Sequence, residues 1–493
     1  MSLKPRYMRM RQDDLAWEKG DKEAEMWERT LLKAQVYRDI GRFINQHRPG
    51  EPVELHKPIR GGYNIFFRLE YKDGSSAALR IPCKGIVKCP DEKIRYEVAT
   101  MRYIAENTTI PVAKVHHYGT AAENPTGLGP FIIMDYTEHE RTMSEALNDP
   151  VINSSESHVL DPNVRTEKLE VLYRQMANII LQLSTLTFDR IGSLVQGEDG
   201  GFHVSGRPLT MNMNSILEFT EAPPSLLPNR QYSTATEWYS ALADMHLMQL
   251  VFQHNDAVED EEDARDKYVA RQLFRRLAAE GRLESDFDTN EDHQTGKEAA
   301  FRMFSEDLRP SNVLIDKELR VVGVIDWEFA YIAPSQFSFD PPWWLLLKAP
   351  DEWSDGGYIS WMETYGPRLE TFLLLLEEEE QKAQAAAGST SADQGGVRLS
   401  QQMRKRWESR AWMINYAARN SWAFDYIYWK FLDAEFFGHN ENGDHHERLG
   451  MLTKAEVKNM EQFVRMKMQE HSERALAEWN DESAATRLAK FII

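Results

Sequence analysis

Residues 304–328, FSEDLRPSNVLIDKELRVVGVIDWE, set the tightest constraint on what this chain can fold into. Two short apolar runs, VLID and LRVVGVID, flank the polar pair Lys317-Glu318. Branched apolar runs on either side of a polar turn predict a β-hairpin. A hairpin brings its two ends together, so Asn312, at the start of the first strand, and Asp326, at the end of the second, should share one rim. Two oxygen-bearing side chains on one rim can hold a hard cation such as Mg²⁺, which takes oxygen ligands and substrate phosphates. Asp307 stands nearby, where it could accept a hydroxyl proton. Taken alone, an acid five residues before an amide is common by chance and reads as a polar turn, and an acid at a strand end reads as a cap. What lies upstream turns the reading toward a site.

Upstream, residues 52–137 are β-rich. YNIFFRLEY and SAALRIP surround Lys72-Asp73-Gly74, a hairpin turn. EKIRYEVATMRYIAE follows as a helix, with Ile94, Val98, Met101 and Ile104 close to one face. KVHHYG and PFIIMDY are two further strand candidates. Before this region, residues 1–51 form an N-terminal helical extension. Within it, residues 22–47 carry Met26, Leu31, Ala34, Tyr37, Ile40 and Ile44 at helical spacing and stop at Pro49-Gly50. After it, residues 138–493 are mostly helical, apart from the β-rich segment 304–330. Residues 383–396, AQAAAGSTSADQGG, are low in complexity and predict a flexible loop. The expected class is α+β, bilobal, with a small β-rich N-terminal lobe and a large helical C-terminal lobe.

Composition narrows the partners. A net charge of −20 repels phosphate backbones, so nucleic acid is excluded as a general partner, although a local pocket can still hold a nucleotide. The acidic run Glu259–Glu262 reads as a solvated helix face or loop. The two cysteines, Cys83 and Cys89, match no zinc spacing and indicate a reducing compartment. No apolar run is long enough to span a bilayer. The cytoplasm is therefore expected, with a mitochondrial presequence in the basic start MSLKPRYMRMRQ as the alternative. His116-His117 and His445-His446 have no Cys or His partners at ligand spacing, so no structural zinc is expected. The aromatic stretch Trp422–Phe437 reads as core.

The layout Asp307-x4-Asn312, followed after a hairpin by Asp326 in IDWE, resembles the protein-kinase-like fold, in particular its aminoglycoside-phosphotransferase and choline-kinase branch. TFDRIGSL and EFAYIAPSQFSFDPPWWLLL are similar to fungal phosphotransferase-family proteins of mostly unknown substrate. The resemblance covers about residues 52–440. It implies ATP and Mg²⁺ in a cleft between the lobes and a small-molecule acceptor. It implies Asp307 as the catalytic acid-base group, with Asn312 and Asp326 on the metal. In the small lobe it implies Gly61 and Gly62 over the phosphates, and Arg80 on phosphate, oriented by Glu97. Asp135 and Tyr136 would form the hinge, offering backbone groups to adenine.

Two positions depart from the family pattern. Arg80 replaces the usual lysine, a swap that keeps the charge and changes the geometry. Ser305 replaces an architectural histidine. No Ala-Pro-Glu activation segment is visible. These departures leave a second reading open, a kinase-shaped binding or scaffold protein with weak or no catalysis.

Overall fold

A computed structural model of the chain describes residue 4 and residues 6–153, 157–284, 301–353, 356–386 and 398–492. The β-rich region forms an antiparallel sheet from β1 (Pro52–Leu55), β2 (Ile59–Arg60), β3 (Asn64–Tyr71), β4 (Ser76–Pro82), β5 (Val115–Gly119) and β6 (Phe131–Asp135). Its order is β1-β3-β4-β6-β5, with β2 also paired to β3. The turn between β3 and β4 holds Gly74 at φ +83°, a conformation that favours glycine.

Strand parity divides the sheet's two faces between two cores. Ile65, Phe67, Leu69, Leu79, Ile81, Phe131 and Ile133 point one way. They pack against Trp27, Leu31, Ile40, Phe43 and Ile44 of α1 (Asp14–Leu31) and α2 (Ala34–His47). Ala78, Ile132 and Met134 point the other way, onto Ile94, Val98, Met101 and Ile104 of α3 (Pro90–Asn107). Arg80 is two residues from Ala78 and pairs in register with Phe66 and Ile132. Period-two alternation therefore turns Arg80 toward α3 and the larger core.

The N-terminal extension differs from the single helix expected over 22–47. Its first helix begins at Asp14, because Asp13 accepts hydrogen bonds from the amides of Leu15 and Ala16. It ends at Leu31, and Lys33, in extended conformation, starts the second helix. The apolar spacing runs on across the break because both helices lie on one sheet face. Trp27 is buried there, and Met26 is exposed.

The larger lobe follows. It comprises β7 (Arg141–Thr142), α4 (Met143–Leu147), α5 (Thr166–Ser184), β8 (Thr187–Phe188), β9 (Ser193–Gln196), β10 (Phe202–Gly206), α6 (Met211–Thr220), α7 (Ala235–Phe252) and α8 (Glu261–Ala279). The β9–β10 hairpin interrupts a region expected to be mostly helical. The acidic run ends in the first turn of α8, where Glu261, Glu262 and Asp263 complement the helix dipole and Asp260 caps it. β11 (Phe301–Ser305), β12 (Val313–Ile315), β13 (Val321–Val324) and β14 (Ala330–Ala333) carry the segment singled out above. β12 and β13 form the expected hairpin, with Val313 opposite Val324.

The long helix Gly357–Ala386 packs on α5, with Tyr173 and Phe372 edge to face at 6.0 Å. It continues through residues 383–386, which were expected to begin a loop. Alanine and glutamine are good helix formers and extend it. The rest of that expected loop, from 387 to 396, lies outside the described residues. Trp422, Phe424, Tyr428, Trp429 and Phe431 are buried, as a core stretch requires.

Candidate active site

The hairpin joins its ends as its sequence requires: the Ile325 amide donates to the Asn312 carbonyl at 2.9 Å. Asn312 closes a short 3₁₀ turn begun by Pro310, whose fixed φ suits that position. Its amide Nδ2 donates to Asp307 twice, to the carbonyl at 2.8 Å and to Oδ2 at 2.9 Å. Arg309 Nε meets the other oxygen, Oδ1, at 2.8 Å. Asp307 is buried, and burial pushes its carboxyl up to about 6 despite the Arg309 charge. Asp326 follows β13 at φ +59°, an uncommon backbone for a residue with a side chain, and its carboxylate is 31% exposed. Ser305 ends β11 opposite Ala330.

Across the cleft, Arg80 Nη2 lies 2.6 Å from Asp326 Oδ1, while Arg80 Nη1 pairs with Glu97. The small-lobe ion pair and the hairpin rim thus belong to one network. Three residues that the sequence reading passed over, Glu328, Lys93 and Asn64, complete it. Glu328 lies 3.3 Å from Arg80 and pairs with Lys93 Nζ. Lys93 is also 3.7 Å from Glu97 Oε2, one helical turn along α3. Asn64 donates to both Glu328 oxygens and accepts from Lys93 at 3.0 Å. Burial alone would raise the Glu328 carboxyl, but Lys93 and Arg80 outweigh it and hold the group below its ordinary value. Glu328 could have been found from IDWE itself, and Lys93 from its spacing of four residues before Glu97.

A cavity of about 520 Å³ opens beside Asp307, with Gly62, Tyr63, Glu218, Arg309 and Trp422 in its walls. Gly62 therefore borders the same cavity as Asp307. Neither Gly61 nor Gly62 adopts the left-handed region, and a Cβ at Gly62 would meet nothing within 4 Å. Gly61 donates its amide to the Asn64 carbonyl at 2.8 Å, closing the turn into β3.

At Asp135 and Tyr136, the expected hinge, the backbone amides already have partners. The amide of Asp135 donates to Lys114 and that of Tyr136 to Ser76, so both N–H groups are engaged in the sheet. The Asp135 carboxylate takes His116 Nε2 at 2.7 Å, and the Tyr136 ring stacks under Arg68.

Glu306, beside Asp307, is a further buried acid. Its Oε2 accepts the Met211 amide at 2.7 Å, at the start of α6. Its Oε1 has no hydrogen-bond partner, and burial raises the carboxyl to about 7.

Residues 215–372 match the family model described as "Phosphotransferase enzyme family". Among curated proteins, the chain is 25% identical over 173 residues to "Altered inheritance of mitochondria protein 9, mitochondrial" of Zygosaccharomyces rouxii, covering 34% of this chain and 26% of that protein. It is 27% identical over 146 residues to a subtelomeric hrmA-associated cluster protein of Aspergillus fumigatus, covering 30% and 25%. The matched part of the chain thus spans about a quarter of these relatives' length. Among solved structures, it is similar to the aminoglycoside phosphotransferase APH(4)-Ia in ternary complex with AMP-PNP and hygromycin B. That likeness has a TM-score of 0.39 at 13% identity and covers 81% of this chain and 100% of the other. It is also similar to an ethanolamine kinase of Plasmodium vivax, with a TM-score of 0.39 at 10% identity, covering 92% and 94%. The segment matched by that family model, residues 215–372, contains Asp307, Asn312 and Asp326.

Proposed function

We propose that the protein is an ATP- and Mg²⁺-dependent phosphotransferase that moves the γ-phosphoryl group to a hydroxyl of a small molecule. The observation that carries this reading is Asp307, a buried carboxylate clamped by Asn312 and Arg309 at the wall of a cavity with room for a small acceptor. The donor set fits a hard dication. Asn312 spends its Nδ2 on Asp307, leaving its carbonyl oxygen as a ligand, and Asp326 offers a partly exposed carboxylate. ATP with Mg²⁺, when bound, supplies the electrophilic phosphorus and the leaving group. Asn312 and Asp326 hold the metal. Asp307 orients the acceptor hydroxyl and takes its proton, a role worth about 10²–10⁴-fold. Arg80, fixed by Glu97, would meet phosphate oxygens, and the backbone of Gly61 and Gly62 would supply N–H groups to them. Asp135 and Tyr136 would border the adenine.

One observation favours a second reading. Arg80 bridges to Asp326 at 2.6 Å and so competes with a cation for that carboxylate, as a catalytically weak or inactive kinase-like binding protein could tolerate. Thermal unfolding with ATP, with and without Mg²⁺, beside Asp326→Ala separates the two. A ligand at a hundred times its dissociation constant adds roughly 2.7 kcal/mol. A Mg²⁺-dependent shift that Asp326→Ala abolishes supports the phosphotransferase and leads to an acceptor screen. No shift at millimolar nucleotide favours the binding protein.

We assign the protein to the cytoplasm. Among the described residues no helix is long and apolar enough to cross a membrane. The word "mitochondrial" in a matched protein's name sets the comparison. A tagged chain with and without residues 1–20, followed to its compartment, decides it.

A further inference from the structure

His445 and His446 lack a ligand partner along the sequence, but the fold brings one from far away. Glu262, in the first turn of α8, faces both rings. Its Oε2 lies 3.9 Å from His445 Nε2 and 3.7 Å from His446 Nε2. The three ligand atoms all fall within 4.8 Å of one another. We propose that Glu262, His445 and His446 form a site for a transition-metal dication of the Zn²⁺ class, separate from the phosphotransferase cleft and independent of that assignment.

The surrounding hydrogen bonds support a built site. His445 Nδ1 faces Asp266 Oδ1 at 2.7 Å, and His446 Nδ1 faces Asp444 Oδ1 at 3.2 Å. A proton on each Nδ1 leaves a lone pair on each Nε2, the form in which histidine binds metals, with a carboxylate fixing the ring from behind. The two Nε2 atoms and the Glu262 oxygen then gather as acceptors alone, and because the rings stack at 4.2 Å and 29°, one cation would be shared once the exposed His446 ring turns toward it. Arg265 Nη1 holds the other Glu262 oxygen at 2.9 Å and leaves Oε2 for the ion.

Distances fit with a small closure. Zn²⁺ sits about 2.0–2.2 Å from nitrogen and oxygen ligands, so tetrahedral neighbours lie about 3.3 Å apart. The two separations from Glu262 exceed that by about half an ångström, and the two Nε2 atoms lie within 4.8 Å of each other. His445 is buried and fixed, whereas Glu262 and His446 are about half exposed and free to close. Three protein ligands leave a fourth position for water. A nitrogen and oxygen set without thiolate suits Zn²⁺ better than Cu(I).

Beyond the ligands, Asp266 ties the site to the start of the chain. Its second oxygen takes Lys4 and Arg6, each at 2.8 Å. A metal at His445 would therefore help anchor the segment that leads to α1.

Zn²⁺ titration of the full chain by calorimetry, in excess Mg²⁺ to fill oxygen-only sites, tests the proposal. One equivalent should bind. His446→Ala and Glu262→Gln should abolish that equivalent, and Asp444→Asn should weaken it by about 10–100-fold. Co²⁺ in place of Zn²⁺ should give the visible absorption of a four-coordinate ion, absent from the first two variants. Both altered side chains are largely solvated, so unchanged unfolding temperatures without metal show that the fold survives. Failure of the chain to bind Zn²⁺, or equal binding by wild type and both variants, overturns the proposal.

Discussion

Lys93 and Glu328 offer a direct measurement of the cluster that joins the two lobes. Their side chains are 0% and 3% exposed, so neither charge can turn to water when its partner is removed. Lys93→Met leaves Glu97 and Glu328 competing for Arg80 alone. Breaking a buried pair from one side costs about 3–5 kcal/mol, because an uncompensated charge remains. Glu328→Gln keeps an acceptor for Asn64 but leaves Lys93 only Glu97, at 3.7 Å, as a charged partner. Each single variant should lose stability on that scale. The double variant restores the cluster's original net charge and should cost less than the sum by about 2 kcal/mol, within the range of coupled neighbours. Hydrogen exchange of peptides from α3 and β4 under increasing urea reports on the small lobe itself. Single losses below about 1 kcal/mol, or additivity within about 0.5 kcal/mol, would refute the reasoning.

Three further outcomes follow from named groups. Asp307→Asn should retain the fold and lose at least about 10²-fold in phosphoryl transfer, and the wild-type rate should fall as pH drops below about 6, where burial has placed the Asp307 carboxyl. A limb at the ordinary aspartate value would remove Asp307 from that role. Glu306 is raised from 4.5 to about 7, so the folded state favours its proton. Its stabilising contribution is complete below pH 4.5 and is lost as pH rises through 7. Glu306→Gln should therefore gain on wild type over that interval by at most about 3 kcal/mol, read from urea midpoints on either side of it. Gly85 stands at φ +89°, and a Cβ there would lie 2.5 Å from the Gly20 carbonyl oxygen. Gly85→Ala should push α1 off the sheet and speed its proteolysis; an unchanged cleavage rate would show that the helix can yield.

The hairpin, the sheet strands and the α3 face were legible because short branched runs and helical spacing speak for themselves. The residues they position were legible only in combination, since Asp307, Asn312 and Asp326 are each ordinary alone. Lys93 escaped because a lysine on a helix is read as solvated, and only a buried carboxylate from a distant turn makes its burial tolerable. Glu328 escaped because IDWE draws the eye to its aspartate. The break at residues 32–33 was invisible because two helices on one surface share a single apolar rhythm. The approach of Glu262 to His445 joins positions more than 180 residues apart, and no local spacing encodes it. The engaged amides at Asp135 and Tyr136 depend on which strands flank β6, which a single run of apolar residues does not disclose.

The start of the chain also decides how the two lobes can move. Lys4 and Arg6 grip α8, the Met10 amide donates to the Trp422 carbonyl, and α1 then binds Glu221 through Lys19 and the Leu128 carbonyl through Trp27. This strap thus ties the lobes at a place apart from the segment following Asp135 and from the ion pairs that Arg80 and Lys93 make with Asp326 and Glu328. Any opening of the cleft would therefore have to stretch or release this strap as well as break those ion pairs.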